Sequence, residues 1–186
     1  GVVSTDTDFL VVGVSPQSML DAGFQQVGAD FPVFLHPETH DEYALARTER
    51  KSGQGYHGFS TYAAPDVTLE EDLSRRDFTM NAMAQDPKTG AIIDPYNGQQ
   101  HMAEKVLRHV GPAFAEDPVR VLRGARFAAK YGCDFHADTW ALMQQLVDTG
   151  EMKTLVPERV RVEFEKGFVG PNPVAMWEAL ERLGTL

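Results

Sequence analysis

Apolar residues open the chain in a tight block, Phe9-Leu10-Val11-Val12-Gly13-Val14, with Asp6 and Asp8 just ahead of it. A short continuous apolar run of this kind predicts a buried strand. Ser15-Pro16 follows, a capping residue and a proline suited to the first helical position, so a short helix ending near Gly23 is expected. Further strands are expected over 24–27, 33–36 and 42–47, with the polar stretch from His36-Pro37 to Asp41 as the hairpin turn between the last two. From Lys51 to Pro65 the chain is rich in glycine, serine and tyrosine and almost without apolar period, which predicts a mobile loop. An acidic helix over 69–74 comes next, then RRDFTMNAMA, a strand over 91–94, the turn DPYNG and a short strand around Val106 to Val110.

After Pro112 the periodicity changes. Val119, Leu122 and Phe127, then Trp140, Leu142, Met143 and Leu146, recur at helical spacing, with Gly132 and Gly150 as stops. Two more helices are expected, over 157–169 and 173–182, each opening at a proline. The pattern therefore predicts an α+β chain, with a small mixed-sheet domain over 1–111 and an all-helical one over 112–186. No internal repeat or low-complexity segment interrupts it.

Composition narrows the setting. The chain has 186 residues, 42% of them hydrophobic, enough for one sizeable domain or a head with a smaller helical appendage. Cys133 is the single cysteine, which excludes an intrachain disulfide, and no apolar run is long enough to span a bilayer, so a reducing, cytoplasmic setting without a membrane partner is expected. The net charge of −10 makes the chain as a whole a poor partner for nucleic acid. Any polyanion must be met by a local basic patch. The start at Gly1, with an apolar run so close behind, predicts a fragment of something longer.

Several clusters can carry chemistry. With extended backbone through Asp6-Thr7-Asp8, both carboxylates share one face about 6–7 Å apart. Such a face can hold divalent ions, since magnesium takes hard oxygen ligands and an ion pair about 4 Å apart can activate a hydroxyl and neutralise a leaving pyrophosphate. A bare pair fits a solvated acidic turn even better. Glu42 alternates with Ala44 and Ala46, small residues that leave room beside it for a metal with Glu42 as the third carboxylate; an exposed strand-edge glutamate fits the same pattern. Arg75, Arg76 and Asp77 join cationic forks to an acceptor, suited to phosphate and ribose or to local charge pairing. In EDPVRVLRGARFAAK, Arg120, Arg123 and Arg126 recur every third residue and, with Lys130, leave 118–133 free of acid, the patch the overall charge requires. Asp117 is also a good helix cap ahead of Pro118. His36 and His40 lie on a proline-containing turn, a poor zinc site. Tyr56, Phe59 and Tyr62 could stack on bases or pack within their own loop.

Taken in order, DTDFLVVG, YALARTER, RRDFTMNA, DPYNG and EDPVRVLRGARFAAKYG resemble the bacterial class II CCA-adding enzymes, the tRNA nucleotidyltransferases, over essentially the whole chain. The bacterial poly(A) polymerases share RRD and EDPxR. The resemblance implies a polymerase β-like nucleotidyltransferase head followed by a helical neck. It also implies addition of C and A from CTP and ATP to the 3′ end of tRNA, with release of pyrophosphate. Two magnesium ions would be held by Asp6 and Asp8 beside Glu42, and triphosphate and ribose by Arg76 and Asp77. Asp117 and Arg120 would read the base, with Arg123 and Arg126 contacting the nucleotide or stiffening its pocket. The base role has a physical logic: cytosine and adenine present an amine beside a bare ring nitrogen, whereas uracil and guanine present a carbonyl beside an N–H. The helices from Asp138 would form the neck, and Pro157 to Phe168 resembles its last shared helical element. The family's Gly-Gly turn and arginine would precede residue 1, and its tRNA-holding body and tail would follow Leu186. A poly(A) polymerase, a specialist adding only C or only A, and a nucleotide- or RNA-binding fragment without catalysis are the alternatives.

Overall fold

The computed structural model describes residues 8–27, 32–51 and 59–185. Those within Gly1–Ser52 and Phe59–Leu73 form one compact unit, and those within Ser74–Leu186 a second.

In the first unit, β1 (Phe9–Val11) leads into α1 (Pro16–Asp21) through the cap expected from sequence, the Ser15 hydroxyl accepting from Ser18 N–H at 3.1 Å. Gly23 ends that turn at φ +87°, a conformation that favours glycine. β2 (Gln25–Val27), β3 (Val33–Leu35) and β4 (Glu42–Leu45) complete a sheet ordered β1-β4-β3-β2, in which only the β1–β4 pair is parallel. Met19 of α1 packs with Phe34 and Leu45 of the sheet to form the core of this unit, with Phe24 and Tyr43 against them. Phe9 stacks on Tyr43 at 4.5 Å, which fixes the register of the parallel pair. At the hairpin turn His36 Nδ1 accepts the amides of Glu38 and Thr39, so that nitrogen serves the turn.

One expectation is corrected. Inside the stretch from Lys51 to Pro65 read as a loop lies a strand, β6 (Phe59–Tyr62), paired antiparallel with β5 (Thr48–Lys51), which ends where that stretch begins. Backbone pairing needs no apolar alternation, so the polar sequence Thr-Glu-Arg-Lys hides it. Residues 52–58, including Tyr56, lie outside the described residues, while Tyr62 is exposed and hydrogen-bonds Asp66. α2 (Leu69–Ser74) closes the unit where the acidic run predicts it, and its buried Asp72 accepts from Arg47 N–H at 3.2 Å.

The second unit opens with a 3₁₀ turn over Thr79–Asn81 and a hairpin of β7 (Ala84–Gln85) and β8 (Ile92–Ile93). DPYNG is more than a turn. It starts α3 (Gly98–Ala103), with Asp94 accepting the Gly98 and Gln99 amides at 2.7 and 2.9 Å. A side chain on Gly98 would meet the Thr79 carbonyl oxygen at 2.3 Å, so α3 and the 3₁₀ turn approach closely only because this residue is glycine. β9 (Val106–Leu107) pairs in parallel with β10 (Asp134–Phe135), flanking a 3₁₀ turn over Pro112–Glu116 and α4 (Val119–Tyr131). Then come α5 (Ala137–Asp148), α6 (Pro157–Phe168) and α7 (Pro173–Arg182), the last two opening at their prolines.

Helix α4 is the axis of this unit. Val121, Phe127 and Ala128 pack into one cluster with Phe78, Phe114, Met143 and Leu183, while Val119, Leu122 and Ala125 pack into another with Met176, Ala179 and Leu180. Each fully buried Val, Leu, Phe or Met side chain among these stabilises by roughly 1.5–3 kcal/mol. The segment 74–111 thus packs with the helices, although its sequence texture belongs with the strands before it.

Candidate functional site

In the first unit Asp8 stands just before β1 and Glu42 opens β4, both exposed. The register Phe9 to Tyr43 carries back by one residue to set Asp8 beside Glu42 at the ends of neighbouring parallel strands, where strands lie about 4.8 Å apart. Asp6 lies outside the described residues. Among the described residues no three histidine, cysteine, aspartate or glutamate side chains gather as a metal cluster. Two adjacent exposed carboxylates nonetheless offer the hard oxygen donors that magnesium takes.

In the second unit the motif residues converge on a cleft of about 490 Å³ lined by Arg75, Arg76, Asp77, Asn81, Asp117, Arg120, Arg123, Phe127 and Arg159. Its size lies in the range of small-molecule sites. Five guanidinium groups face two carboxylates there, a local positive patch in an acidic chain. The backbone holding Asp77 is clamped from behind: Val110 N–H donates to the Asp77 carbonyl and Thr79 N–H to that of Arg108.

Asp77 is buried and saturated. Its Oδ1 accepts from Phe78 N–H at 2.8 Å and Asn81 Nδ2 at 3.0 Å, and its Oδ2 from Arg123 Nε at 2.8 Å and Arg123 Nη2 at 2.7 Å. Arg76 Nη1 donates to the Asn81 carbonyl at 3.2 Å. Burial works against the Arg123 charge, but the carboxylates of Asp77 and Glu163 outweigh it and hold its pKa above the ordinary arginine value. Arg120 reaches two backbone carbonyls, Nη1 to Ala113 and Nη2 to Arg75, both at 2.7 Å. It thereby ties the 3₁₀ turn at 112–116 to the RRD segment. Asp117, in extended conformation, caps α4 by accepting Val119 N–H at 3.2 Å. It also receives a two-point fork from Arg159, Nη1 to Oδ1 at 3.0 Å and Nη2 to Oδ2 at 2.6 Å. Capping and cleft lining coexist in this residue.

The structure thus brings Arg76, Asp77, Asp117, Arg120 and Arg123 together. Arg126 does not join them at the cleft wall. It is buried, donates to Glu163 at 2.5 Å and lies 4.2 Å from the centre of the Phe127 ring, a ring that does line the cleft. Sequence reasoning missed Arg159, Glu163 and Asn81. A signal for the first two exists: they stand four apart on α6 and so share one face of it, opposite the acid-free α4.

A model of the poly A polymerase head domain matches residues 5–108, more than half of the chain. The chain belongs to the poly A polymerase head-domain family. Residues 132–186 match a second model, described as the probable RNA- and SrmB-binding site of polymerase A. Among solved structures, this family member is similar to a CCA-adding enzyme in its second apo form, with a TM-score of 0.82 and 28% identity over 98% of this chain and 45% of that one. It is also similar to the Thermotoga maritima CCA-adding enzyme complexed with tRNA, at 0.77 and 25% over 98% and 43%. A CCA-adding enzyme complexed with ATP matches at 0.77 and 26% over 98% and 42%. The chain therefore spans a little under half the length of these structures. Its α+β fold, a small mixed sheet followed by helices, is that of the head and neck of CCA-adding enzymes.

Proposed function

We propose that this protein, as part of a longer polypeptide, adds C and A nucleotides to the 3′ end of tRNA from CTP and ATP and releases pyrophosphate. The observation that carries the reading is the cleft, where RRD, EDPVR and the α6 arginine meet as a cationic pocket in an acidic chain. A triphosphate would find guanidinium donors there, with Arg76 beside the clamped Asp77 backbone. Asp77, whose lone pairs are all engaged, would meet a ribose hydroxyl only by exchanging one of its present donors. Asp117 would accept the exocyclic amine of cytosine or adenine and Arg120 donate to the bare ring nitrogen; uracil and guanine, with the opposite pattern, would be refused.

Magnesium, bound by the carboxylates of Asp6 and Asp8 next to Glu42, would supply activation of the attacking hydroxyl and neutralisation of the leaving pyrophosphate. The exposed, side-by-side placement of Asp8 and Glu42 supports that donor set. No described helix is long and apolar enough to cross a membrane, and the lone Cys133 suits a reducing cytoplasm.

A second reading, poly(A) polymerase, is favoured by the descriptions of both family models. Feeding single nucleotides to tRNAs ending before CCA, C or A separates the two. CTP should extend the first, CTP the second to its next stop, and ATP alone the third by one residue; long A tracts on any of them would establish the polymerase. Asp117→Ala should lose the preference for C and A over U and G by about tenfold or more. A variant that loses only stability and keeps that preference would reduce Asp117 to a helix cap.

A further inference from the structure

The Arg159 fork determines how much of Asp117 stays open to a ligand. A carboxylate has about four accepting positions. On Asp117, Oδ1 is filled by Val119 N–H and Arg159 Nη1, and Oδ2 is half filled by Arg159 Nη2. Among the described residues this leaves one accepting position, on Oδ2, in a plane fixed by the guanidinium. Asp77, the other carboxylate of the same cleft, has none left.

We propose that Arg159 is a specificity-positioning residue: its two-point grip makes Asp117 a single, fixed acceptor at the cleft wall. This rests on the reading of Asp117 as the base-selecting carboxylate. One lone pair suits one amine hydrogen of cytosine or adenine. A uracil or guanine carbonyl brought to the same point sets acceptor against acceptor. Releasing the fork would free a position on Oδ1 and let the carboxylate rotate. It could then accept the ring N–H that uracil and guanine carry beside their carbonyl. The fork therefore acts by withholding acceptors from the wrong bases, beyond any service to packing. A lysine would keep the charge but offers a point contact in place of a planar fork.

The test uses Arg159→Gln and Arg159→Lys in the intact polypeptide, with kcat/KM for CTP, UTP, ATP and GTP on tRNA lacking its 3′ CCA, and Tm for each variant. The C-over-U and A-over-G ratios should fall about tenfold or more in both variants, although Arg159→Lys restores most of the Tm. Should Arg159→Gln fail to fold, Arg159→Lys decides alone. Wild-type ratios in either folded variant would overturn the proposal, because charge or packing would then suffice. Asp117→Asn run alongside separates the two levels. If Asp117→Asn also keeps the ratios, the base-selecting reading has failed; if it loses them while the Arg159 variants keep them, only the fork has.

Discussion

The two units treat their charged residues in opposite ways. In the first, Asp8 and Glu42 stand exposed at strand ends, and neither makes a side-chain hydrogen bond or ion pair among the described residues. In the second, nearly every motif residue is bound: Asp77 to Arg123 and Asn81, Asp117 to Arg159, Glu163 to Arg126 and Arg123, Arg120 to two carbonyls. Carboxylates left bare suit a partner that arrives from solution, such as a metal ion. Forks locked in advance suit recognition, since donors held in place need no reorganisation when the ligand enters. Substitutions in the two units should therefore fail differently.

The largest effect is expected from Asp8→Ala in the intact protein. Nucleotidyl transfer should fall by about a thousandfold or more, the scale of several kcal/mol of metal-supplied stabilisation. Thermal stability should stay within about 0.5 kcal/mol, as for other exposed positions. A variant with normal turnover would remove Asp8 from the chemistry. Glu163→Ala should invert that signature, costing about 3–5 kcal/mol in chemical denaturation because it strands the buried Arg126 charge. A loss below about 1 kcal/mol would show the Glu163 ion pairs with Arg126 and Arg123 to be less tightly coupled than their geometry implies. Gly98→Ala should cost about 1–3 kcal/mol, through the clash with the Thr79 backbone. It should also weaken nucleotide binding, because the 3₁₀ turn carries Asn81 against Asp77.

The smallest effect is a pH dependence. Burial, aided by the Arg108 charge, lowers the pKa of both His101 and His109 in the second unit. Below the unfolded value of about 6.5 the unfolded chain binds protons that the folded chain refuses. The stability these residues contribute is thus present above that pH and is lost as pH falls through the depressed folded values. The urea midpoint should drop between pH 7.5 and 5.5; a flat profile would contradict the assignment. Asp86, Asp94 and Glu71 are shifted down instead, so their contribution is lost only in more acidic solution and does not confuse that window.

Much of the fold could be read from punctuation. Ser15-Pro16, Pro157 and Pro173 mark helix starts because proline tolerates the first turn and little else, and Gly132 and Gly150 mark ends through their positive φ. What stayed hidden was non-local. The pairing of Thr48–Lys51 with Phe59–Tyr62 has no apolar alternation to betray it, and that of Val106 with Asp134 joins segments far apart in the chain. The site divides in the same way. RRD and EDPVR showed which residues would gather, because each motif carries its chemistry locally. Which carboxylate each arginine would meet was not legible, since Asp77, Glu163 and the arginines of α4 belong to three separate segments. The acid-free face of α4 reads as a bare phosphate patch until those partners arrive from elsewhere.

The most direct test of a catalytic edge distinct from a selecting cleft is calorimetric titration of the Asp8→Ala protein with CTP and with UTP in magnesium. The arrangement predicts that this protein, though unable to transfer, still binds CTP about tenfold or more tightly than UTP. Equal affinity for the two nucleotides would contradict it.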